Sequence, residues 1–261
     1  MLNNIEKIII KVGTATLSLH DAHHGIDIEI IKKLSNVIAK LKKNHHKIIL
    51  VTSGAIALGA KRLNLSKKTK TILEKQACAA IGQVQLMHTY EKYFSKYNIP
   101  IAQILLTRDG FAQKEIYTNA RKTILELLSM GVLPIINEND AVANEEIKFG
   151  DNDMLSAMVS NLIGAHRLIM LTDEEGLYDK NPKKHKNARL VSVVKKITPK
   201  VQKMASGTDS DLGSGGMTTK IRAAKSVTSA GTKVHIIYGK KPEKIFNLLN
   251  GKIVGTTFLP N

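Results

Sequence analysis

Residues 47–54 read KIILVTSG: four consecutive apolar residues that run out into a hydroxyl-bearing turn. Upstream, residues 27–43 carry apolar residues at helical spacing, and residues 7–13 read KIIIKVG. Two near-continuous apolar strands joined by an amphipathic helix predict a parallel pair buried on both faces. The same alternation continues outward. Helices are expected over 54–62 and 70–97, a strand at IPIAQILLT (99–107), a helix over 116–129 and a strand at VLPIIN (132–137). A helix over 151–164 and a strand at RLIMLT (167–172) follow. The fold class is α/β, built on a mainly parallel sheet.

The second half is less regular. Residues 179–190 (DKNPKKHKNARL) read as a basic loop and 205–220 (ASGTDSDLGSGGMTTK) as a glycine-rich one. A helix to about 230, a strand at KVHIIYG (233–239), a short helix over 241–250 and a last strand at KIVGTTF (252–258) complete the chain. No internal repeat or linker interrupts it, so residues 1–261 read as one domain.

Composition narrows the function classes. Hydrophobic residues make up 43% and no tryptophan is present, which fits an aliphatic interior. No apolar run is long enough to span a membrane. The N-terminus enters a strand without a basic, signal-like segment, and a single cysteine, Cys78, excludes a disulfide framework. A cytoplasmic protein is expected. The net charge is +17, but lysines are spread along the chain and aromatics are only 4%. That pattern suits a solvated surface, or a field that attracts anionic substrates, better than a nucleic-acid groove. HDAHHG (20–25) and NHHK (44–47) read as polar loops rather than metal sites.

In a parallel α/β sheet, ligands bind beyond the carboxyl ends of the strands. Several polar clusters stand there: Gly13-Thr14, Thr52-Ser53-Gly54, Asn137-Glu138-Asn139-Asp140 and Thr172-Asp173. Lys11 ends an apolar run, where an ammonium either reaches an anion or snorkels to water; position alone leaves both readings open. Gly213 through Lys220 (GSGGMTTK) opens a helix whose first turn can hold phosphate. Ser53 reads either as a site hydroxyl or as an ordinary helix cap. Gly150-Asp151-Asn152-Asp153 offers three polar side chains where one cap suffices, and Asp151 is the plainest cap among them. No Walker lysine motif is present. No histidine stands in the post-strand turns, which argues against a Ser-His-Asp hydrolase. Two lysines with glycine-rich helix starts suit phosphoryl transfer.

Eight segments, KVGTATL, VTSGAIALG, KQACAAIGQ, LLTRD, PIINENDAVA, KFGDNDMLSA, LTDEEGLY and GGMTTKIRAA, together resemble the glutamate 5-kinase branch of the amino acid kinase family. The resemblance implies an αβα sandwich and ATP-dependent phosphorylation of the γ-carboxylate of L-glutamate, the first step towards proline. It implies that Lys11 and Lys220 hold phosphates and that Asp153 orients them. Ser53, Asp140, Asn152 and Asn137 would bind glutamate. Lys11, Thr172 and Asp173, with Ser214, Gly215, Gly216, Met217, Thr218, Thr219 and Lys220, would line the ATP site. Ser214 stands where the family usually has threonine. Mg²⁺ would be held mainly by the nucleotide phosphates. A homo-oligomer, dimer or tetramer, and feedback inhibition by proline are further expectations. Many relatives carry a C-terminal PUA domain; this chain ends just after its last strand, and no such domain is expected. The NEND and GDND stretches argue against other amino acid kinases, such as those for N-acetylglutamate, aspartate or nucleoside monophosphates. An RNA-binding protein would leave Lys11 and both acidic clusters without a purpose. Asp153→Asn is expected to reduce turnover far more than stability.

Overall fold

The computed structural model describes residues 5–17, 25–65, 71–143, 152–205 and 216–260. The chain runs β1 (Lys7–Val12), α1 (Thr14–Leu17), α2 (Ile28–Lys43), β2 (Lys47–Val51), α3 (Ala55–Arg62) and α4 (Ile72–Phe94). It continues with β3 (Ile101–Leu106), α5 (Arg108–Ala112), α6 (Lys114–Ser129), β4 (Leu133–Glu138), α7 (Asn152–Ile163) and β5 (Arg167–Thr172). The remainder is β6 (Val193–Val194), α8 (Pro199–Ala205), α9 (Met217–Thr228), β7 (Lys233–Tyr238), α10 (Lys244–Leu249) and β8 (Thr256–Phe258).

These strands form one sheet in the order β3-β4-β2-β1-β5-β7-β8-β6. All neighbours are parallel except β7 and β8. β1 is central, with Lys11 opposite Val51 on one side and Met170 on the other. The chain leaves β1 towards β2 and later returns to its other flank as β5, which makes this the switch point where ligands bind.

Strand side chains alternate between two cores. Ile8, Ile10 and Val12 join the core under α2, α3, α4 and α10. Ile9 joins the core under α6, α7 and α9, so Lys11 faces that second layer. Helix starts are locally encoded: Asp27 accepts from the Glu29 and Ile30 amides, and Thr71 and Glu74 close a capping box.

One helix contact is unusually close. A Cβ on Gly59 would lie 1.9 Å from the Cys78 carbonyl oxygen, and one on Gly82 1.8 Å from that of Ala55. The small residues of GAIALG and ACAAIG therefore let α3 and α4 pack backbone to backbone. Cys78 is buried in this contact, as its small-residue setting suggests.

Several features differ from the sequence reading, among them the short helices α1 and α5, which lay unread. The last strand starts at Thr256 and pairs antiparallel with β7, because residues 252–255 turn through Gly255 at φ 61°. β6, two residues long, is too short to show a period. α8 is a seven-residue helix that lay unread between two loops. Among the described residues, no helix is long and apolar enough to cross a membrane.

Candidate active site

Phosphoryl chemistry needs positive charge held in place without being neutralised. Lys11 comes from the end of β1, Asp153 from the first turn of α7 and Lys220 from the first turn of α9. Asp153 is fully buried, and both lysines are about as hidden, at 4% and 5% exposed. The Lys11 ammonium lies 2.6 Å from one Asp153 oxygen and that of Lys220 3.2 Å from the other. The Thr219 hydroxyl donates to the same second oxygen at 2.7 Å. Gly13 makes this possible: a Cβ there would sit 3.1 Å from the Lys11 Nζ.

The electrostatics follow from this packing. Burial pushes the Asp153 carboxyl up, but Lys11 and then Lys220, with the Lys11 and Thr219 hydrogen bonds, hold it at about 2. Burial pulls the Lys220 ammonium down and Lys11 adds to this; Asp153 and Asp173 oppose it. Lys11 is thus no snorkelling residue.

A second cluster lies across the same strand ends. Asn152 Nδ2 is 2.6 Å from the Thr52 carbonyl oxygen, 2.8 Å from Ser53 Oγ and 2.9 Å from Asn137 Oδ1. Ser53 does not cap α3; Gly54 occupies the cap position at φ 99° with no side-chain bond. Asn137 is committed on both sides, because its Oδ1 also accepts from the Glu138 amide and its Nδ2 donates to Gln83. Asn137 therefore shapes the site from within the protein. Asp140 follows β4. Its Oδ1 is buried without a partner among the described residues, and burial, then Glu138, raise its carboxyl to about 7.

At the end of β5, the Thr172 hydroxyl donates to Asp173 at 3.0 Å, and Asp173 is exposed. No side chain caps α9 at Gly216, as in helix starts that bind anions. Met217 is packed into the second core and the Thr218 hydroxyl donates to the Ala205 carbonyl. Both side chains are therefore engaged within the protein, and the ATP contact that the resemblance implies for these residues falls to their backbone amides. Ser214, Gly215 and Asp151 lie outside the described residues, as does most of HDAHHG. Beside α9, a cleft of about 450 Å³ opens between residues 179–185 and α8, lined by four lysines, Asp179, Asn181 and His185.

Sequence reading missed the contribution of α4. Gln83 takes the bond from Asn137, Tyr90 bonds the Thr52 hydroxyl at 2.7 Å and Gln76 donates to the Ala143 carbonyl. One signal was available: Gln83 falls in the apolar phase of α4, between Gly82 and Leu86, where a polar residue needs a buried partner.

Known proteins place this arrangement. The sequence pattern of the amino acid kinase family matches residues 6–238. The glutamate 5-kinase of Clostridium acetobutylicum is 46% identical, over 99% of this chain and 96% of its own. That of Geobacter sulfurreducens is 43% identical, over 100% of this chain and 69% of its own. Among solved structures, carbamate kinase from Giardia lamblia shares the fold at a TM-score of 0.70 and 14% identity, covering 100% of both chains. An isopentenyl phosphate kinase does so at 0.68 and 19%, covering 97% and 99%. With the family pattern over residues 6–238 and 43–46% identity over nearly the whole chain, the chain belongs to the amino acid kinase family and, within it, to the glutamate 5-kinases.

Proposed function

We propose that this chain, as one amino acid kinase domain, transfers the γ-phosphoryl group of ATP to the γ-carboxylate of L-glutamate. The observation that carries the reading is the pair of buried ammoniums held by one buried carboxylate. A glutamate γ-carboxylate is ionised at neutral pH, with a reference pKa of about 4.3, so no general base is required. One of its oxygens attacks the γ-phosphorus, the bond to the β–γ bridging oxygen breaks, and ADP leaves. The barrier is anion meeting anion, which cations and positioning lower. Lys11 and Lys220 supply the charge, and Asp153 with Thr219 keeps both ammoniums aimed. The amides of Met217 and Thr218 take phosphate oxygens. Both Asp153 oxygens are engaged by lysines, and no group of three metal-binding side chains is present among the described residues. Mg²⁺ would arrive with ATP, held mainly through the nucleotide phosphates, and would add positive charge there.

Asp140, Asn152 and Ser53 bind the amino acid. The buried Asp140 oxygen suits an α-ammonium, and N-acetylation would remove that cation and leave the carboxylate unmatched. Proline carries a similar ammonium and carboxylate, so it competes at an overlapping site. Leu73, Ile81 and Val84 line an exposed apolar strip along α4, which supports a homo-oligomer, dimer or tetramer. The cytoplasm, where ATP and glutamate are available, is the working compartment. Incubation with MgATP and glutamate, with hydroxylamine to trap the acyl phosphate, tests the reaction. Folded protein that yields no hydroxamate sinks this reading.

A further inference from the structure

An amide chain runs from an exposed edge strand into the glutamate side of the site. Gln83 Nε2 donates to Gln103 Oε1 at 3.0 Å, and Asn137 Nδ2 donates to Gln83 Oε1 at 3.0 Å. Asn152 Nδ2 then donates to Asn137 Oδ1 at 2.9 Å. Its inner end is polarised by two backbone groups that cannot reverse. The Thr52 carbonyl can only accept, so the Asn152 atom beside it is nitrogen. The Glu138 amide can only donate, so the Asn137 atom beside it is oxygen. Every amide in the chain then has one permitted orientation. The atom left over is Asn152 Oδ1, buried and without a partner among the described residues. It is an acceptor, and it joins the unpartnered acceptor of Asp140.

We propose that Gln83 is a positioning residue for amino-group recognition: by holding Asn137, it locks Asn152 with its carbonyl oxygen offered to a substrate ammonium. This rests on the glutamate kinase reading and deepens it. Gln83 touches no substrate. Its Oε1 is the only partner of Asn137 Nδ2 among the described residues, and Asn137 is 2% exposed. Without that acceptor a buried Asn137 N–H has no partner, so the Asn137 side chain shifts to reach one; Asn152, which Thr52 keeps from turning over, is then drawn out of line with it. Two acceptors match a primary ammonium, whereas glutarate, which lacks it, gains nothing from either.

Gln83→Leu and Gln83→Glu in the full chain separate positioning from packing. In Gln83→Glu an oxygen still accepts from Asn137. The other group either donates as a protonated acid or meets a Gln103 amide that is exposed and able to turn. Gln83→Leu is expected to raise KM for glutamate about 10–100-fold, leave KM for ATP within about twofold and narrow the preference for glutamate over glutarate. Gln83→Glu is expected to stay within about threefold of the parent in all three. Equal rises in both KM values, an unchanged glutamate-to-glutarate ratio, or a Glu variant as impaired as Leu overturns the proposal. Should Gln83→Leu not fold, the ratio in Gln83→Met decides in the same way. Failure of the parent enzyme to form hydroxamate from glutamate is a separate result, which removes the substrate reading and this inference with it.

Discussion

The two ends of the central strands carry two charge clusters built on different plans, one half-buried and one buried. At the amino end, Arg167 at the start of β5 meets Glu6 through two hydrogen bonds, at 2.6 and 3.0 Å. His235 on β7 lies 3.3 Å from the same guanidinium and 2.9 Å from Thr257 Oγ1. Burial, Arg167 and Lys233 hold that imidazole down at about 3, so it is neutral. One guanidinium is paired with one carboxylate there, with the Lys233 charge felt at the imidazole. At the carboxyl end, two ammoniums share one carboxylate. The balanced cluster is complete as it stands. The other gathers two ammoniums on one buried carboxylate, the arrangement that the proposed function uses to meet phosphate. The contrast is between an ion pair that closes on itself and two described cations that meet on one anion.

Removing one cation breaks the comparison most severely. Lys220→Met keeps the volume and leaves Lys11 paired with Asp153, a copy of the balance at the other end. Turnover should fall by about 10²–10³ or more, as when a group stabilising transition-state charge is lost. Thermal stability should hold or rise, because burial already disfavours the Lys220 charge. A variant that unfolds as readily as it loses activity contradicts the functional account of the imbalance.

Removing the anion tests the other direction. Asp153→Asn leaves two buried ammoniums with no carboxylate between them, and breaking such a site costs about 3–5 kcal/mol. The sequence suggested a variant that loses turnover far more than stability. Full burial of Asp153 adds a stability loss that the sequence did not show. Denaturant titration should record that loss, and ADP or pyrophosphate should restore more stability to the variant than to the parent. Equal stabilisation of both proteins argues against an anion site.

What was legible and what was not follows physical lines. The parallel core was readable because Ile8-Ile9-Ile10, Ile48-Ile49-Leu50 and Leu168-Ile169-Met170 are apolar on both faces, which only a covered strand tolerates. Lys11 was readable as a candidate because an ammonium that ends an apolar run demands a partner, Asp153 because one helix cap does not need three polar side chains, and Lys220 because it closes a glycine-rich helix start suited to phosphate. Their convergence on one carboxylate was not, since residues 11, 153 and 220 meet only through the sheet order. Gln103 had no signal, being an exposed residue on an edge strand. Asn137 looked like a ligand contact, and its packing inside the protein, bonded at both oxygen and nitrogen, could not be read from its place in an Asx-rich turn. Part of the +17 charge also has a local use. Lys7 and Arg121 donate to carbonyls at the end of α7, and Lys47 to one at the end of α6. There they satisfy orphan acceptors and oppose the helix dipole.

The glutamate side sharpens the comparison in a pH-dependent way. Burial and Glu138 raise Asp140 to about 7. Below that pH its carboxyl is protonated, and binding an ammonium must expel the proton. KM for glutamate should therefore rise about tenfold per unit as pH falls below 7, and level off above about 8. Asp140→Asn should give a high KM that stays flat with pH. A parent KM already flat between pH 6 and 8 would detach Asp140 from ammonium binding.

The balanced cluster has its own pH signature, and it should appear in stability alone. His235 titrates at about 3 in the folded protein but at about 6.5 when unfolded. Between those values the unfolded chain binds a proton that the folded chain refuses. Stability is therefore full above pH 6.5 and is lost as pH falls, by up to about 1 kcal/mol between pH 6.5 and 5.5. His235→Gln, which can still bond Thr257 and Arg167, should flatten that part of the stability profile. It should leave kcat and both KM values within about twofold, because a cluster already complete has nothing to offer a substrate. A His235→Gln enzyme with altered KM for glutamate or ATP would mean that the two ends of the strands are coupled. The division between a balanced structural cluster and an unbalanced catalytic one would then have to be given up.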